Sequence, residues 1–62
     1  MDKKRIAIEI ETGKSDSIYN IRKDLEAGFD EVVVVAIDDK IKEKIIKDLN
    51  NSDMKNDRRI SF

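Results

Sequence analysis

Sixty-two residues carrying 13 basic and 14 acidic side chains, with no histidine and no cysteine, bound the chain to one small domain. They exclude disulfides, thiolate zinc sites and imidazole-based nucleophilic catalysis. A formal net charge of −1 is not the basic footprint of an autonomous nucleic-acid-binding domain. No apolar run approaches the roughly 18 residues of a membrane span, and the charged start Met-Asp-Lys-Lys-Arg is not followed by the long apolar region of a signal peptide. The expectation is therefore a cytoplasmic chain with no membrane partner.

Residues 4–11 read as a first strand. Alternation places Ile6, Ile8 and Ile10 on one face and Ala7, Glu9 and Glu11 on the other. Gly13 permits a sharp turn, and a helix follows over about 16–27, with Ser15 or Ser17 as its cap and Asp16 at its positive end. Ile18, Ile21 and Leu25 form a single apolar stripe, while Arg22, Lys23 and Glu26 look outward. Gly28 sits where a left-handed cap belongs, with Phe29 as its apolar partner.

Residues 31–37 form the second strand. The continuous run Val32 to Ile37 is the pattern of a strand covered on both faces, as in a parallel sheet. Asp38 or Asp39 caps a second helix over about 39–49, whose stripe is Ile41, Ile45 and Leu49, widened by Ile46. Residues 52–57 read as a polar loop, and residues 58–62 as a short third strand with Ile60 and Phe62 on one face. The order strand–helix–strand–helix–strand predicts an α/β domain: a small parallel sheet, β-α-β-α-(β), with helices packed on it. Two short helices can barely cover one face, so one face of the sheet is expected to stay unfinished, unless the helices split across the two. Val33 and Val35 are the interface candidates on it, for a homo-oligomer or for the remainder of a larger protein.

The chemistry is concentrated at the carboxyl end of the first strand, where Glu9, Glu11 and Lys14 crowd together. Neighbouring carboxylates repel, so they need a cation, a proton or open water. With only oxygen ligands available, magnesium, manganese and calcium are the metals favoured. Glu9 and Glu11, with the carbonyl of Ile10 between them, make an oxygen-rich Mg site, and Lys14 is close enough to fold back onto it. Gly13-Lys14-Ser15 looks like the end of a phosphate-binding loop, but the first glycine of that loop would stand at position 8, which is Ile8. A weak phosphate or anion site at Lys14 and Ser15 is what remains of that reading. The bland alternative makes Glu9 and Glu11 a solvated face paired with lysine or arginine.

The stretch Ile8-Glu9-Ile10-Glu11-Thr12-Gly13-Lys14, followed by a helix and the Val32–Ile37 run, resembles the second half of a PD-(D/E)xK nuclease-like (restriction-endonuclease-like) domain. The resemblance covers about residues 5–38. It implies that residues 1–62 are a half-domain or fragment of a larger nuclease-like fold. It puts Glu9 at the acidic metal-ligand position and Glu11 at the lysine position, with Lys14 as a displaced lysine. These three would be the catalytic residues of a Mg-dependent endonuclease acting on DNA. The superfamily's first Asp stands on an earlier strand, so the implied site is incomplete and needs a second copy or another chain. The runner-up is a non-catalytic oligomerisation or protein-interaction module.

Overall fold

The computed structural model describes residues 3–14 and 16–62. It contains β1 (Ile6–Glu11), α1 (Ser17–Glu26), β2 (Glu31–Ala36), α2 (Asp39–Asn50) and β3 (Ile60–Ser61). The three strands form one parallel sheet in the order β1-β2-β3. This is the expected α/β architecture, with each predicted element present and ends shifted by one or two residues.

Each boundary has a local cause. Asp16 caps α1 by accepting the Tyr19 N–H at 3.1 Å, so the cap is the aspartate rather than Ser17; Ser15 lies outside the described residues. Asp38 caps α2 in the same way, accepting the Ile41 N–H at 2.9 Å. α1 ends in a Schellman motif. Gly28 adopts φ +91°, its N–H donates to the Leu25 carbonyl, and the Phe29 N–H reaches the Asp24 carbonyl. Phe29 then lies 4.6 Å from the Arg5 guanidinium. The Asp30 carboxylate accepts the Arg5 N–H at 2.7 Å, and the Arg5 carbonyl accepts the Asp30 N–H at 2.8 Å. This clamp ties the start of β2 to the start of β1 and sets the register: Ala7 opposite Val32, Glu9 opposite Val34, Glu11 opposite Ala36.

Both helices lie on the same side of the sheet. The core is Ile21 and Leu25 of α1, Ile45 and Leu49 of α2, and Val32 and Val34 of β2, with Ala7, Ala36 and Ile60 against it. Met54 joins this core from the segment read as a polar loop. The Ser52 hydroxyl donates to the Leu49 carbonyl and accepts the Met54 N–H, and that turn swings the methionine inward. Ile46 stays partly in water and Tyr19 lies in it, at 37% and 63% exposure. The register carries a consequence for β1. The helix-covered face receives Ala7, Glu9 and Glu11, whereas Ile6, Ile8 and Ile10 face out.

The left-handed conformation at Gly28 is one that a side chain strains. A Cβ there would meet nothing closer than the Arg5 Nη1 at 3.8 Å, so Gly28→Ala tests backbone strain alone. It is expected to lower unfolding free energy by about 1–2 kcal/mol, read as a fall in the urea midpoint at unchanged slope.

Candidate functional site

The carboxylates of β1 sit beneath α1, not on an open face. Glu11 is 2% exposed, which removes it from any solvated surface, and Glu9 is half-buried. Asp24 faces them from α1, and Lys23 is the cation whose charge is felt at Glu9. Lys14 lies exposed in the turn after β1 and belongs to none of the ion pairs found among the described residues. The structure therefore brings Glu9 and Glu11 together as the sequence suggests, adds Asp24 and Lys23, and sets Lys14 apart. Ser15, the other phosphate-binding candidate, is outside the described residues. The Asp16 carboxylate already occupies the start of α1.

Two oxygens in this cluster, Glu11 Oε1 and Asp24 Oδ2, are buried and receive no hydrogen bond. Carboxylates can only accept when ionised, so a proton must enter if they are to bond one another. Glu9 takes that role. Hydrogen bonding to Asp24 raises its pKa from 4.5 to about 7; burial and the negative charges of Asp24 and Glu11 push the same way, and Lys23 opposes them. A proton held by Glu9 gives the Asp24 carboxylate a donor and removes one of three like charges. Among the described residues no group of three acidic side chains is arranged to hold a metal ion. Mg²⁺ can be held by one or two carboxylates with water completing its shell, and Glu9 with Glu11 are the residues that would supply them.

No family model, curated protein or solved structure matches the chain. The PD-(D/E)xK resemblance rests on its own residues.

The second candidate surface is the opposite face of the sheet. Ile6, Ile8 and Ile10 of β1 are 49%, 66% and 66% exposed, and Val35 and Ile37 are 45% and 60% exposed. Val33 lies half-buried among them. Both interface candidates, Val33 and Val35, thus stand on the uncovered face, and three isoleucines of β1 extend it. Among the described residues Lys4 and Glu31 pair with each other at 3.6 Å at one end of this face. The other surface features are self-contained. Arg59 is held by Asp57 at 2.6 and 2.9 Å, which lowers the Asp57 pKa. Arg22 is held by Asp53 at 2.6 Å. Neither arginine is free for phosphate. No helix among the described residues is long and apolar enough to cross a membrane.

Asp24 and Lys23 were the site residues missed by pattern reading. Asp24 flanks Leu25 and stands three residues after Ile21, so its place beside the buried stripe was legible in the helical period. Its pairing with Glu9 was not, because that depends on how α1 crosses β1.

The raised Glu9 pKa fixes a sign. Between pH 4.5 and about 7 the folded chain keeps a proton that the unfolded chain has released, so folding stability falls as pH rises through that window and levels off above it. Glu9→Gln supplies a permanent donor to Asp24 and carries no charge. It is expected to raise stability at pH 8 by about 1–2 kcal/mol and to flatten the loss between pH 4.5 and 7, as measured by urea titrations across pH.

Proposed function

We propose that this domain is a non-catalytic interaction module that works through its uncovered sheet face. The observation that supports the reading is the aliphatic surface of Ile6, Ile8, Ile10, Val33, Val35 and Ile37 on a parallel sheet covered on its other side alone. Parallel sheets in folded proteins are covered on both faces. A contiguous apolar patch rimmed by charge marks a surface that meets another molecule. Among the described residues the charges at its end, Lys4 and Glu31, are paired, which suits an apolar partner better than a phosphate backbone or a polar metabolite.

A second reading keeps the nuclease-related, Mg-dependent site on DNA. What favours it is the pair of buried, undonated oxygens at Glu11 and Asp24 beside Glu9: a proton on Glu9 would serve Asp24 alone, whereas a cation would also serve Glu11. In that case Mg²⁺ binding displaces the Glu9 proton and strengthens with pH. Lys14 would turn back towards the phosphate, and a second chain would supply the further acidic ligand.

The two readings separate by mutation. For the interaction module, the double variant Ile8→Lys/Val35→Lys folds with an unfolding free energy within about 0.5 kcal/mol of the parent, since both side chains already contact water. Measured at a dilution where the chain sediments as a monomer, the parent binds the apolar dye ANS and the double variant does not. Equal, negligible dye binding by both would discard the reading. For the metal site, amide shifts over residues 9–14 should saturate with Mg²⁺ at pH 8 and vanish in Glu9→Ala; flat shifts at millimolar Mg²⁺ remove it.

A further inference from the structure

We infer that the occupant of the uncovered face is a second copy of this chain, docked sheet to sheet about a two-fold axis. The inference rests on the interaction reading above and names the partner. Three observations carry it.

The first is area. The chain exposes 4834 Å². A folded monomer of 7.2 kDa is expected to expose only about 4,100 Å². The excess, roughly 700 Å², belongs to the whole chain; five of the eight large apolar side chains it leaves exposed stand on this face, where a standard interface would take ~800 Å² from each partner.

The second is charge. Lys4 and Glu31 pair at 3.6 Å, and the rest of the described face is isoleucine and valine, with Ser61 of β3 beside Val33 at its margin. A complementary partner must therefore be apolar and neutral. Among the described residues the chain has one such surface, this face itself. The exposed side of α2 carries Lys40, Lys42, Glu43, Lys44, Lys47 and Asp48, which cannot meet it. A copy that docks here presents the same patch, and that is the isologous contact of a two-fold dimer.

The third is shape. The exposed residues alternate along two in-register six-residue strands, so their side chains stand in regular rows. Two such surfaces interdigitate as the inner faces of a sandwich do, with the sheets ~10 Å apart. Each helical layer then lies outermost and the dimer has four layers, α-β-β-α. Every strand of both copies is covered on both faces.

Sedimentation equilibrium of the chain between about 10 µM and 1 mM is expected to show a mass that doubles with concentration. In Ile8→Lys/Val35→Lys the monomer mass should persist throughout, with unchanged far-UV circular dichroism. The chain contains no cysteine, so a second measurement does not depend on the charged variant folding. Val35→Cys should form a disulfide dimer at least ten-fold faster than Glu43→Cys on α2. A parent that stays monomeric to 1 mM overturns the inference. In that case ANS binding by the monomer still supports an apolar partner of another kind, such as a helix of a different chain, and its absence discards the interaction reading too. A dimer that survives the double lysine variant, with equal cross-linking at both cysteines, also overturns it, because the contact is then elsewhere, for instance along the open edge of β1.

Discussion

Everything in this domain depends on the clamp between Arg5 and Asp30. Its backbone and carboxylate hydrogen bonds align β1 with β2, and in a sheet a shift of one residue would turn every side chain to the opposite face. With this alignment, Ala7 shares a face with Val32 and Val34, and the two helices close over that face. The same alignment sends three isoleucines out and two glutamates in. One register therefore explains both unusual features, the buried carboxylates and the bare aliphatic surface.

The carboxylates beneath α1 stand close enough that the hydrogen bond to Asp24, burial and the neighbouring charges of Asp24 and Glu11 raise the Glu9 pKa to about 7. Three isolated anions beneath a helix would cost several kcal/mol each. A proton on Glu9, favoured by its hydrogen bond to Asp24, relieves the repulsion, and the charge of Lys23 opposes that shift. The cluster lies at β1, a strand at the edge of the sheet, where solvent can still deliver or remove that proton. The core itself is small, seven side chains from four of the segments, as expected of a chain this short.

The bare face follows from topology. Strand order 1-2-3 moves in one direction, and right-handed crossovers in one direction put both helices on one side. Two helices of 10 and 12 residues then finish one layer and leave the other. Burying an aliphatic side chain fully contributes roughly 1.5–3 kcal/mol relative to leaving it in water. Five side chains near half exposure or more are thus a substantial unused driving force beside the 5–15 kcal/mol that holds a typical domain together. Covering this face would stabilise the domain as much as it would recruit a partner.

Elements, their order and the ends marked by Asp38 and Gly28 were determined by the sequence alone, because they depend on interactions within a few residues: the Ile21–Leu25 and Ile45–Leu49 spacings, Asp38 before α2, Gly28 after α1, and the valine run of β2; the cap of α1, read as Ser15 or Ser17, is Asp16. The pairing of Glu9 with Glu11 was legible for the same reason, as strand alternation is local. Tertiary structure alone decided which face of β1 turns inward. Local hydrophobicity favours the isoleucines, but the face is chosen by register with β2 and by the side on which the helices cross. It also decided that Asp24 and Lys23, rather than Lys14, stand beside Glu9, and that Met54 enters the core. These are contacts between segments distant in sequence, and their geometry is set by the crossing of whole elements, which no short pattern of residues encodes.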